Sequence, residues 1–123
     1  MAVKKQRPEA GFETPPEVFD RAHLAHYTMN AAELEREIVG LFLMQLPATL
    51  EMIEAAETAA EWKLATHTLK GAAASIGAKR LQHLAVGLEA MPIDVDVDVK
   101  AMRLRALRAA AAEFRQTVQV IYR

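Results

Sequence analysis

Apolar side chains recur at intervals of three and four in four successive stretches of this chain, and that spacing leaves little choice of fold. A helix turns about 100° per residue, so such residues gather on one stripe. From Ala31 to about Thr58 the stripe is Leu34, Ile38, Leu41, Phe42, Leu46, Leu50 and Ile53. From about Ala60 to Ile76 it is Trp62, Ala65, Leu69, Ala72 and Ile76, and from Ala78 or Lys79 to about Ala90 it is Leu81, Leu84, Leu88 and Met91. The last stripe, Leu104, Leu107, Ala111, Phe114, Val118 and Ile121, ends the chain. Four such helices with short connections bury their stripes by packing together. The expected fold is therefore all-α, an antiparallel four-helix bundle. A short additional N-terminal helix, capped by Asp20 and running to about Tyr27, would close one end.

Punctuation residues set the expected boundaries. Asn30, with Glu33 three residues on, reads as a capping box for the first long helix. Pro47 lies inside that helix, removes a hydrogen bond and predicts a kink or short break near Met44–Pro47. Gly77 is well placed to end the next helix, and Pro92 stops the one after. The segment from Pro92 to Lys100 alternates like a strand, but a lone strand has nothing to pair with here. Asp94, Asp96 and Asp98 imitate a calcium loop, yet Val99 stands where the turn glycine belongs and Arg105 where the bidentate glutamate belongs. The segment reads as a connector whose Asp96 or Asp98 caps the last helix. Residues 1–16, polar and carrying Pro8, Pro15 and Pro16, read as a flexible leader, which leaves 17–123 as the domain.

At 123 residues the chain is one domain, and a formal net charge of -1 gives no reason to expect nucleic acid as a partner. With no cysteine there is neither disulfide nor thiolate metal site, which fits a cytoplasmic protein. Lys4, Lys5 and Arg7 are not followed by an apolar signal core, and no apolar run approaches the ~20 residues that span a bilayer, so no membrane is expected. His23 and His26 have a spacing that could hold a metal, but no carboxylate or third histidine stands in register, and no metal is expected. They and His83 read as surface residues. Phe42, Met44 and Met52 read as core, and Arg103, Arg105, Arg108 and Arg115 as a solvated face.

One stretch departs from plain bundle chemistry: EWKLATHTLKGAAASIGAKRL, Glu61 to Leu81. Lys63, His67, Lys70, Gly71 and Ala74 fall opposite the Trp62 stripe, so the histidine should face solvent on a positive, uncluttered surface. A neutral imidazole there offers a nucleophilic nitrogen. Nothing in the chain resembles a catalytic triad, P-loop or dinucleotide fingerprint, so a stand-alone enzyme is not expected.

With leucine, lysine and glycine at the second, third and fourth positions after His67 (Leu69, Lys70, Gly71), glycine at the tenth (Gly77), then Ala78 and Leu81, the stretch resembles the histidine-containing phosphotransfer (HPt) family of two-component phosphorelays. FDRAHL and LFLMQLPATL also look like the family's opening segments, proline included. Where many members have a serine after the glycine, this chain has Ala72, which by its helical position faces the core. The resemblance implies a phosphorelay carrier and not a kinase. His67 Nε2 would take a phosphoryl group from an aspartyl phosphate on a receiver domain and pass it to a second receiver. Lys70, and more weakly Lys63, would supply positive charge, and the small Gly71 and Ala74 would let the partner approach. Glu89, on the following helix, is the residue expected to bond the other ring nitrogen and fix the tautomer. Implied partners are response-regulator receiver domains and a hybrid sensor histidine kinase. The magnesium ion would sit on the receiver, with no cofactor of the chain's own, and the chain would be a monomer. A helical adaptor that binds a receiver or kinase without carrying phosphate would use the same surface.

Overall fold

A computed structural model describes residues 16–123. Apart from Pro16, the leader expected over residues 1–16 lies outside them. Every regular element among the described residues is helical: α1 (Arg21–Thr28), α2 (Ala32–Ala55), α3 (Ala59–Ile76), α4 (Lys79–Ala90) and α5 (Val97–Ile121). In the bundle α3 packs between α2 and α4, while α5 closes the ring against the same two helices. The short α1 lies on α2 and α3 at one end.

The caps explain most of the boundaries. Asp20 accepts from the His23 N–H at 3.1 Å and starts α1; Asp96 accepts from the N–H groups of Asp98 and Val99 and starts α5. Asn30 does not cap α2. Met29 and Asn30 both take left-handed backbone, φ 53° and 64°, to turn the chain between α1 and α2, and Ala31 stands at the N-cap of α2 with no side-chain cap bond. Asparagine tolerates that conformation because its short polar side chain can bond locally. Nor does α2 reach Thr58, because Thr58 caps α3 instead: its hydroxyl accepts from the Glu61 N–H at 3.1 Å, while Glu61 accepts from the Glu57 N–H at 2.8 Å.

Pro47 does not break α2, which is helical throughout. The N–H that proline lacks would have bonded to the carbonyl of Leu43. Arg115 of α5 donates to that carbonyl at 3.4 Å.

The buried face of α2 keeps the expected Phe42, Leu46, Leu50 and Ile53 but not the rest of the expected stripe. Its buried stripe is Glu35, Val39, Phe42, Leu46, Leu50 and Ile53, whereas Leu34, Leu41, Met44 and Met52 are exposed, Met44 to 75%. The physical reason is that apolar residues also lie on the outer side of α2, so periodicity alone does not separate Leu34, Leu41 and Met44 from the core. An 18-residue window with mean hydropathy 1.4 makes it long and apolar enough, by length and composition, to cross a membrane, contrary to the expectation that no run approaches this. On α3, Ala73 holds the core position and Ala72 is half-buried; on α5, Ile121 lies at the exposed margin.

The core is layered around Phe114, fully buried, with Phe42 and Phe19 edge-on to it at 5.3 and 5.7 Å between ring centres. At the α1 end the carboxylate of Glu35 is 3% exposed. It accepts from Tyr122 Oη at 2.8 Å, Arg21 Nε at 3.2 Å and Thr28 Oγ1 at 3.4 Å. Burial alone pushes this carboxyl up, but the bonds from Tyr122 and Arg21 outweigh it and hold Glu35 below the usual carboxylate range. Burial and the neighbouring carboxylate push Tyr122 up to about 12.

Gly77 ends α3 at φ 85°, and its carbonyl oxygen accepts from the Asp20 N–H at 2.8 Å. A Cβ there would meet the Asp20 carbonyl oxygen at 2.6 Å. Only glycine permits both the turn and the close seat of the α1 entry.

Candidate functional site

The register between α3 and α4 is pinned by Trp62. Its Nε1–H donates to the carbonyls of Leu88 and Met91, both at 3.0 Å, where α4 ends. One turn on, Thr66 is fully buried and returns its hydroxyl to the Trp62 carbonyl at 2.8 Å. With the two helices locked this way, Glu89 of α4 comes to lie against the outward face of α3.

That face carries His67, whose side chain is 63% exposed. Glu89 Oε2 lies 3.1 Å from His67 Nδ1, and Glu89 Oε1 accepts from Lys70 Nζ at 2.6 Å. One carboxylate thus bridges both residues. The Lys70 ammonium holds the Glu89 carboxyl below the usual carboxylate range, against partial desolvation, and His67 adds to the effect. An ionised carboxylate can only accept, so its bond to Nδ1 requires the proton on Nδ1. In the neutral ring Nε2 then carries the free lone pair. That is a nucleophile's configuration.

The surface is less simply positive than the helical positions imply. Lys70 is half-buried and its charge faces Glu89. Lys63, one turn back, is exposed and lines a shallow hollow with Ala60, Leu64 and His67. Gly71 is exposed, and a Cβ added to it would meet nothing within 4 Å, so the space above it is open. Ala74, two turns beyond the histidine, is half-buried and takes no part in the hydrogen-bonded trio.

The sequence reading missed an apolar border to this site. Leu64 (62% exposed) and Met52 (48% exposed) line a second hollow between α2 and α3. The available signal was Leu64 itself, an apolar residue off the buried stripe and between Lys63 and His67. Elsewhere, His23 is half-buried against Tyr27 rather than on the surface, and its Nε2 has no partner among the described residues. No group of three or more His, Asp or Glu side chains that could hold a metal occurs among the described residues.

An antiparallel helical bundle with an exposed histidine at mid-helix defines a recognisable class of signalling domain. The chain belongs to the Hpt domain family, whose model matches residues 37–119, more than half of its length and all of α3 and α4. Members are phosphotransfer carriers of two-component signalling, working with histidine kinases and receiver domains and not as stand-alone kinases. Comparison with curated proteins and with solved structures gives no match.

Proposed function

We propose that this chain is a phosphorelay carrier in which His67 Nε2 takes a phosphoryl group from an aspartyl phosphate on one receiver domain and hands it to another. The observation that carries this reading is the Glu89 carboxylate at 3.1 Å from Nδ1. It favours the tautomer with the Nε2 lone pair free to attack. As the Nε2–P bond forms, the P–O bond to the receiver's aspartate breaks and the carboxylate leaves. The ring becomes a cation, with its Nδ1 proton still held by Glu89. Transfer onward reverses these steps: the second aspartate attacks phosphorus, the Nε2–P bond breaks, and the neutral imidazole returns.

The loose transition state of phosphoryl transfer spreads charge over the equatorial oxygens, so nearby positive charge and positioning do most of the catalysis. Lys70, one turn from His67, supplies the nearer charge and Lys63 the weaker one. Gly71, with Ala74 further on, keeps the surface low enough for a receiver's active-site loop to reach the ring. Leu64 and Met52 offer that receiver an apolar border. The magnesium ion belongs to the receiver, and the carrier brings no cofactor. It acts as a cytoplasmic monomer, loaded through a hybrid sensor histidine kinase.

The test is intact-mass spectrometry at mildly alkaline pH after mixing the protein with phosphorylated receiver domains from its own organism. A gain of one acid-labile phosphoryl group, absent in His67→Gln, is expected. Because His67 is exposed, that variant should keep the parent's helicity and melting temperature. Binding of a receiver without any gain would instead favour the phosphate-independent adaptor.

A further inference from the structure

Three arginines bridge the rim of the seam between α2 and α5. Arg36 of α2 donates to the backbone carbonyls of Tyr122 and Arg123, at 3.3 and 3.1 Å. Arg115 of α5 reaches the Leu43 carbonyl, and Arg108 binds both carboxylate oxygens of Glu54. The bridges pair early α2 residues with late α5 residues, so the two helices lie antiparallel. Between the bridges the seam opens into two hollows. One, of about 300 Å³, is walled by Pro47, Leu50, Ala111 and Ala112, with Arg108 and Arg115 flanking it along α5. The other, of about 150 Å³, lies over Gly40, Leu43, Val118 and Gln119. Gly40 is exposed at mid-helix, where glycine weakens a helix, and a Cβ there would meet nothing within 4 Å. No contact within the bundle calls for glycine at that position.

Spacing and charge together say what fits. On α5 the hollows are centred seven residues apart, at Ala111–Ala112 and at Val118–Gln119, which is about 10.5 Å at ~1.5 Å per helical residue. A third helix laid along the seam presents side chains at that same interval, from positions i and i+7. An extended strand does not, since its same-face side chains fall ~6.7 or ~13 Å apart. Arg115 stands between the hollows. Its one hydrogen bond is long, 3.4 Å to a carbonyl, and it has no carboxylate partner among the described residues. A guanidinium carries five donors, so most of those on Arg115 remain to be met.

From this register and charge we propose that the α2–α5 seam is a docking groove for an acidic amphipathic helix of a partner protein. Apolar side chains at i and i+7 fill the two hollows, and a carboxylate at i+3 or i+4 takes the remaining donors of Arg115. The groove belongs to α5, which lies across the bundle from α3, so it is reached from a side other than that of His67. The inference stands apart from the phosphoryl-carrier reading.

The test titrates a synthetic probe helix into the full-length ¹⁵N-enriched protein. The probe carries phenylalanine and leucine at i and i+7, glutamates at i+3 and i+4, and lactam bridges on its far side. Amide shifts are expected at Gly40, Leu43, Ala112 and Gln119, with the Arg115 Nε–H resonance moving alongside. A probe with lysine for both glutamates should bind roughly tenfold or more weakly, and Arg115→Gln should cost a similar factor. Gly40→Leu suits a helix and fills the smaller hollow, so it should keep the parent's melting temperature and lose the probe. No shift, or shifts centred on the His67 face, would overturn the proposal, as would binding that survives Gly40→Leu. Equal binding of the lysine probe would overturn the acidic partner. Equal binding of a probe broken by a central proline would overturn the helix. Phenylacetate binding as tightly as the probe would make the larger hollow a small-anion pocket instead. Shifts at the same residues on concentrating the protein alone would assign the groove to a second copy.

Discussion

Because Glu89 reaches Lys70 through one oxygen and His67 through the other, replacing it separates two contributions that a single deletion would merge. Glutamine keeps one acceptor oxygen and turns an NH2 donor toward the other partner. Alanine keeps none. Phosphoryl acceptance should fall on the order of tenfold to hundredfold in Glu89→Ala, as when a carboxylate that orients an imidazole is removed, and by less in Glu89→Gln. Lys70→Ala should slow transfer without abolishing it. Single-turnover transfer from a phosphorylated receiver measures all three, and equal rates for the parent and Glu89→Ala would sink the assigned role. The position of Glu89 was not legible from spacing rules, because 22 residues separate it from His67. Only the Trp62 bonds to the end of α4 fix which α4 residue faces the ring. His67, Lys70 and Gly71 were legible because they lie on one face within two turns.

At the scale of the element, Gly77 joins two requirements that sequence can show only in part. A glycine at the end of an apolar stripe reads as a helix stop. That its missing Cβ also makes room for the Asp20 carbonyl needs the tertiary structure. Gly77→Ala forces a left-handed alanine, roughly 1–3 kcal/mol of strain, and pushes α1 from its seat. Thermal unfolding should show that loss, with faster amide exchange in α1 than in α4; parent-like stability would contradict the close contact. The helix α2 shows the opposite failure. Its helical character is readable, but apolar residues on its outer side blur the face: Leu41 and Met44, expected inward, are exposed, while the neighbours α3 and α5 bury Val39 beside the expected Phe42. Thr58 likewise carries a capping pattern with Glu61, and that cap ends the helical stretch expected to run on to about Thr58.

At the scale of the whole molecule, the buried Glu35 ties α1, α2 and the end of α5 together and makes stability depend on pH at both extremes. Its folded carboxyl lies below the ordinary range, so the unfolded chain takes up the proton first. The network therefore stabilises above about pH 4.5 and weakens as pH falls below the usual carboxylate value. Tyr122 runs the other way: raised to about 12, its contribution is complete below the ordinary tyrosine value of about 10 and is lost as pH rises from there towards 12. Tyr122→Phe should cost about 1–3 kcal/mol at neutral pH, because a buried carboxylate loses a donor, and should flatten the alkaline fall. Glu35→Gln should flatten the acid one. Urea unfolding across pH measures both, and an unchanged pH profile in either variant would refute the assignment. The bundle also carries a single tryptophan, and the residues that hold it have an optical consequence. Trp62 is sealed on the core side of α3, between two carbonyls at its N–H and the Lys100 ammonium 4.9 Å over its ring, while His67 looks outward from the same helix. The chain's one strong fluorophore is therefore wired to the integrity of the α3–α4 junction and shielded from whatever lands on the histidine, so its emission follows folding and stays silent to docking.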